Sequence, residues 1–245
     1  MIIAVTNHKG GTGKTTTALN LGAALAANKK KVLLVDLDPQ GNLSYSLGIT
    51  ATDRDICRLF TEELTFEEVV CKVEGMDVLP ATMDLADIEL TLQSVPNRTH
   101  ILKLMLEERS KDYDFVIIDC PPSRSLLTIN ALCLADCVLV TILLDVLSIQ
   151  GLMHIMKTIH DVRDAFNSKL TLMGVLPVMV DLRMKLPLEV RELIAENKEI
   201  PLLKTIIRSN VKVAEAPSHA MSVISYAPQS IGAKDYKALA KEIMN

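Results

Sequence analysis

Short runs of aliphatic and β-branched residues alternate along this chain with longer stretches whose apolar positions recur every three or four residues. The short runs, Ile2–Thr6, Val32–Asp36, Asp77–Pro80, Phe115–Asp119, Cys137–Ile142 and Leu172–Val178, read as strands. Most are apolar almost throughout, the pattern of parallel strands covered on both faces. Helical spacing predicts helices over Thr15–Asn28, Asp84–Leu92, Thr99–Ser110, Leu126–Leu134, Ser148–Phe166, Pro187–Glu196 and Ala233–Met244. Strands alternating with helices predict an α/β doubly wound fold, with a mostly parallel sheet and helices on both faces. Residues 50–75 carry the weakest pattern and are expected to hold short helices. No repeat, low-complexity tract or linker interrupts the alternation, so residues 1–245 are read as a single domain.

Composition narrows the classes. Nearly half of the residues are hydrophobic, which excludes disordered and fibrous chains. There is no tryptophan and only 3% aromatic residues, so a module that stacks single-stranded bases on aromatic platforms is disfavoured. The net charge of -4 is unevenly spread: residues 183–245 carry 10 basic and 7 acidic side chains, and everything before them is acidic in balance. A basic last quarter permits a polyanion partner, although an ordinary solvated surface has the same signature. The five cysteines, Cys57, Cys71, Cys120, Cys133 and Cys137, include no C-x-x-C and read as reduced, mostly buried thiols. The sequence opens directly on a strand pattern, and its longest apolar run, near Val138–Leu147, is broken by Thr141 and Asp145. A cytoplasmic protein without a membrane span is therefore expected.

The first predicted strand runs into His8-Lys9-Gly10-Gly11-Thr12-Gly13-Lys14-Thr15-Thr16, and a helix follows. Glycines let backbone N–H groups converge on a phosphate, and the helix N-terminus favours the anion. Lys14 is placed to reach β- and γ-phosphates, and the Thr15 hydroxyl to bind Mg²⁺. The strict P-loop has glycine where this chain has His8. A dinucleotide loop would need G-x-G-x-x-G and no Lys-Thr pair. A second box, Asp36-Leu37-Asp38-Pro39-Gln40-Gly41, leaves the second strand with two carboxylates two residues apart, which extended backbone turns the same way. A third, Asp119-Cys120-Pro121-Pro122-Ser123, closes a buried strand on a carboxylate suited to Mg²⁺ through water.

Lys-Gly-Gly-x-Gly-Lys-Thr-Thr resembles the deviant Walker A box of the ParA/MinD ATPases, and the chain is most similar to the ParA/Soj chromosome- and plasmid-partition members. Leu126–Leu132, Asn210-Val211-Lys212-Val213-Ala214-Glu215-Ala216-Pro217-Ser218-His219 and Gly232-Ala233-Lys234-Asp235-Tyr236 extend the likeness to nearly the whole chain. The resemblance implies a P-loop NTPase fold, with Lys9 to Thr16 around ATP and Asn210 beside adenine. It makes Asp38 essential for hydrolysis, orienting a water or a Mg²⁺-bound water. Thr15, Asp38 and Asp119 would serve the metal, while Asp36 stays open between a supporting and a direct role. Lys9 would reach the partner's nucleotide across a homodimer, with service to its own nucleotide as the alternative.

The family also implies nonspecific double-stranded DNA binding and a ParB-like centromere-bound partner that stimulates hydrolysis. The protein would be nucleoid-associated when ATP-bound. Arg183 matches a family arginine of the DNA face, and Arg208 stands one place before the Ser209 that replaces another. Further family arginines near Gln229 are absent, so the DNA face is expected to be weaker or differently built. The final helix lacks the basic amphipathic pattern of a membrane-targeting tail, so no membrane partner is expected. Two other readings remain at this stage: a ParA-like ATPase that positions a protein cargo, and a nucleotide-gated interaction module with little turnover.

Overall fold

The computed structural model describes residues 1–50 and 52–245. Seven strands form one sheet: β1 Ile2–Thr6, β2 Val32–Asp36, β3 Cys71–Val73, β4 Met76–Leu79, β5 Phe115–Asp119, β6 Cys137–Ile142 and β7 Thr171–Pro177, in the order β3-β4-β2-β5-β1-β6-β7. All neighbours are parallel except the edge pair β3 and β4. The doubly wound, mostly parallel architecture is as the alternation predicted.

Strand side chains alternate between two cores. Ala4, Leu33, Val35, Val116, Ile118 and Val138 face one. Ile3, Val5, Leu34, Ile117 and Leu139 face the other. Each face is buried by helices, which is why the strands tolerate almost no polar residue before their C-terminal ends. The first face is covered by α3 Ile56–Phe60, α4 Phe66–Val69, α5 Leu85–Leu92, α6 Ile101–Ser110, α7 Leu126–Leu134, α8 Val146–Ala165 and α9 Lys185–Glu196. The second is covered by α1 Lys14–Ala27, α2 Asn42–Ser46, α11 Val223–Tyr226 and α12 Ile231–Met244, with α10 Val211–Glu215 and a 3-10 turn at Ala216–His219 alongside.

Residues 50–75 hold the expected short helices, α3 and α4, and also β3, which was not expected. Glu74 and Gly75, both at positive φ, turn β3 back onto β4. Such a two-residue turn matches the twist of paired strands, and a three-residue strand is too short to show periodicity. The predicted boundaries of β4 and β7 each move one residue toward the N-terminus.

Buried Asn130 explains one segment that sequence alone could only match. Its Oδ1 accepts from Leu102 N at 3.1 Å, and its Nδ2 donates to Arg98 O at 2.7 Å, fastening α7 to the start of α6. Cys57, Cys120, Cys133 and Cys137 are buried free thiols, and Cys71 is half-buried. Among the described residues no helix is long and apolar enough to cross a membrane.

Register brings the functional ends together. Val5 of β1 and Asp36 of β2 both sit opposite Asp119 of β5. Three adjacent strands thus end level, and the loops beyond them open into one crevice at their carboxyl edge, where such sheets bind ligands.

Candidate functional site

The loop after β1 is built for a guest. Gly11 and Gly13 adopt positive φ of 72° and 70°, a conformation L side chains rarely take. A Cβ at Gly10 or Gly11 would meet nothing within 4 Å, so the concave side of the loop is open space. Gly13 leads into α1 without a side-chain cap, leaving the first N–H groups of that helix to an external acceptor. Lys14 is buried, and its Nζ donates to Lys9 O at 3.4 Å. Burial lowers its pKa, against the opposing pull of Asp119 and Asp38. His8, standing where a strict P-loop has glycine, is half-buried, and burial followed by Arg124 lowers its pKa.

Asp36 and Asp38 take different tasks. Asp36 is fully buried and accepts from Ser44 N at 2.9 Å, Ser44 Oγ at 2.7 Å and Asp38 N at 3.2 Å. Burial raises its pKa to about 6 against those hydrogen bonds. The Ser44 hydroxyl accepts in turn from Ala81 N at 3.0 Å. Gly41 has φ 59°, and a Cβ there would lie 2.8 Å from Ala81 O, so only glycine lets the loop pass β4 this closely. Asp36 is therefore an anchor inside the protein. Asp38, held by Gln40 N at 3.0 Å, lines the crevice with Lys14, Thr15 and Pro122.

Asp119 is the anomaly. It is completely buried, and neither carboxylate oxygen has a hydrogen-bond partner. Burial and then Asp36 push its pKa well up, while Thr15 and Lys14 act to lower it. An orphaned buried carboxylate costs several kcal/mol on the order of magnitude unless something cationic compensates it. No group of three or more His, Cys, Asp or Glu among the described residues forms a metal cage. The donor set, one buried carboxylate beside a threonine and an open phosphate-sized space, fits Mg²⁺, which keeps waters and borrows phosphate oxygens.

A second cavity of about 340 Å³ adjoins the phosphate loop and is lined largely by Val178, Met179, Ile207, Val213, Pro217 and Tyr236. It shares Gly13, Thr16 and Met179 with the phosphate crevice of about 440 Å³. The two form one elongated cleft, polar at one end and apolar at the other, the shape of a nucleotide.

A family model described as an AAA domain matches residues 1–172. The chain is 43% identical to the sporulation initiation inhibitor protein Soj of Bacillus subtilis, over 99% of this chain and 97% of that one. The chain belongs to the ParA/Soj family of partition ATPases. It is also 38% identical to the chromosome partitioning protein ParA of Caulobacter vibrioides, over 100% of this chain and 94% of that one. Among solved structures, cobyrinic acid a,c-diamide synthase from Mycobacterium smegmatis with bound ATP analogue and magnesium matches at 34% identity and TM-score 0.88, covering 99% of this chain and 93% of that one.

Within this ParA/Soj chain, the structure gathers Gly10 to Thr16 and Asp38 around one crevice and puts Asn210 in the apolar cavity. Asn210 caps α10, accepting from Lys212 N at 3.1 Å. Lys9 points away from the cleft to Asp145, at 3.2 Å. Arg183 lies in the loop before α9, its side chain 89% exposed, where it holds Asp181 well below the usual carboxylate range. Arg208, expected at the DNA face, is bound to Asp235 of α12 and lines the apolar cavity while its side chain stays 37% exposed; the backbone of residues 207–209 pairs with Val180.

Sequence reasoning missed the supports. Asp235 accepts from Arg208 N at 3.0 Å, and Glu242 accepts from Lys204 N at 2.8 Å and Thr205 N at 2.9 Å. The seven-residue spacing of Asp235 and Glu242 was a legible sign that they share a face of α12, but the segment they grip is irregular and distant in sequence.

Proposed function

We propose that this protein is an ATP-hydrolysing partition ATPase. In this reading its ATP-bound form pairs face to face with a second copy and holds DNA without sequence preference. A ParB-like, centromere-bound partner stimulates hydrolysis, and segregation of a chromosome or plasmid is the outcome. The observation that carries the reading is the buried, unpartnered Asp119 carboxylate, on the strand beside β1 and its phosphate loop.

In this reading Gly10, Gly11, Thr12, Gly13, Lys14, Thr15 and Thr16 cradle the phosphates, and Asn210 stands beside the base. Thr15, Asp38 and Asp119 would hold Mg²⁺, Asp119 through water. The metal supplies charge compensation to the phosphates. Asp38 orients the attacking water, and Asp36 fixes Asp38 through the Ser44 network. Lys9 leaves Asp145 and offsets phosphoryl charge on the partner's nucleotide, in the manner of a cation delivered in trans. Its pair with Asp145 is 44% and 39% exposed and so worth no more than about 1 kcal/mol, which does not bar that departure.

Exposed Val146 and Leu147, next to Asp145, and exposed Met179, at the junction of the two cavities, give the crevice rim an apolar character suited to closure on a second copy. DNA contact falls to Arg183 and its neighbours in the basic last quarter, with Arg208 left out. A cytoplasmic protein that joins the nucleoid when ATP-bound follows.

The test is sizing of the protein with ATP, ADP or neither, each with and without nonspecific DNA. A dimer and a DNA complex only with ATP support the reading. An ATP-bound monomer that ignores DNA overturns it.

A further inference from the structure

Arg208 is a partly exposed cation outside the phosphate machinery, and its geometry is constrained. Its Nε donates to Asp235 Oδ2 at 3.0 Å, its Nη2 donates to Asp235 Oδ1, and its own backbone N–H also reaches Oδ2 at 3.0 Å. Asp235 is 9% exposed at its side chain and Arg208 37%, so one partner is sunk in the fold and the other reaches the cavity. The backbone on either side is pinned as well: Val180 N donates to Ile207 O and Ser209 N to Val180 O, both at 3.0 Å. Met179, at a positive φ of 55°, precedes Val180 and lines the same cavity. The guanidinium thus stands as a fixed plane in the wall of an otherwise mostly apolar cavity that continues from the phosphate loop.

We propose that Arg208, held flat by Asp235, is the base-selecting residue of this cleft, packing its guanidinium against the face of a purine. The inference rests on the nucleotide-binding reading above. A planar, weakly hydrated guanidinium stacks on aromatic faces, whereas an ammonium is a compact point charge that does not. Its bond to a buried carboxylate fixes the plane, so no rotamer freedom is lost when the base arrives. A purine offers the larger π-face, and Val178 and Met179 give the same cavity an apolar lining beside Gly13.

The experiment compares Mg²⁺-loaded ATP, CTP and base-free tripolyphosphate as ligands of the full chain, using wild type, Arg208→Ala, Arg208→Lys and Asp235→Asn. Wild type is expected to prefer ATP over CTP. Arg208→Ala is expected to lose on the order of tenfold in ATP affinity, within the range of a partly desolvated cation–π contact, with tripolyphosphate unchanged. Arg208→Lys should fail to rescue, and Asp235→Asn should lose ATP affinity by a smaller factor in the same direction. Unchanged tripolyphosphate binding reports that the variants are folded. ATP affinity of Arg208→Ala equal to wild type overturns the proposal. So does an equal loss for ATP and tripolyphosphate, which would make Arg208 a purely structural residue. If wild type binds neither ligand, the nucleotide-binding reading itself falls, and this one with it.

Discussion

Two fully buried carboxylates, opposite each other on adjacent strands, illustrate how hydrogen-bond donors divide labour. Asp36 accepts from three backbone or hydroxyl donors and becomes scaffold, whereas Asp119, with none, keeps its full appetite for a cation. Asp119→Asn should therefore stabilise the nucleotide-free protein while removing its Mg²⁺ dependence. Relief on the order of 1–2 kcal/mol corresponds to roughly 2–8 °C in Tm, read by thermal melting without nucleotide. A lower Tm would mean that the carboxylate has a partner within the fold. Lys14→Ala should abolish nucleotide binding, because it removes the buried cation at the phosphate loop, and near-normal affinity in a direct titration would sink the phosphate assignment. Asp38→Ala should still bind ATP and accumulate as a dimer, because Asp38 is assigned to water and not to phosphate. Wild-type phosphate release from that variant would end its catalytic role.

At the scale of elements, Ser44 links the loop after β2 to the end of β4, and Gly22 sets how closely α1 lies on the sheet. Ser44→Ala strands Ala81 N and strips one donor, the hydroxyl, from Asp36, at a cost of about 1–3 kcal/mol. Turnover should fall more than ATP affinity, as separate kcat and binding measurements would reveal. A Cβ at Gly22 would lie 2.6 Å from Leu34 Cδ2 and 3.2 Å from Met76 Sδ, both buried. Overpacking of about 1–3 kcal/mol exceeds the helix-propensity gain of about 1 kcal/mol, so Gly22→Ala should lower the urea midpoint. The sheet and its main helices were legible because buried parallel strands advertise themselves as unbroken apolar runs. That the phosphate loop, Asp38 and Asp119 lie at the carboxyl ends of neighbouring strands was legible, because each box sits directly after a predicted strand. β3 was not, since three residues hold too little pattern. Nor was the pairing of Arg208 with Asp235, which depends on an irregular segment pairing with Val180 and on a carboxylate 27 residues away. A sequence shows that a cation is present; only packing shows whether it faces water.

For the molecule as a whole, the acidic total charge opposes DNA binding by one chain, and pairing would set two basic last quarters on the same duplex. DNA affinity should then require ATP, ignore sequence and fall steeply with salt. Arg183→Glu should weaken it uniformly across sequences and flatten the salt slope by about one unit per lost phosphate contact, leaving dimerisation intact. A slope unaltered in that variant would move the DNA face elsewhere. The packing of α1 against α12, with Tyr236 buried beside Thr17 and Asp235 and Glu242 gripping residues 204–208, has a temporal consequence. Synthesis delivers the phosphate loop first and the helix that completes the base cavity more than two hundred residues later. A nascent chain halted before Ile231 carries every residue assigned to the phosphates yet lacks Tyr236 of the base cavity and the Asp235 and Glu242 that fasten residues 204–208, so that cavity is incomplete when the phosphate loop is ready. Ribosome-stalled chains of increasing length should acquire nucleotide-dependent protease protection abruptly, once α12 has cleared the exit tunnel, and not gradually as each motif emerges.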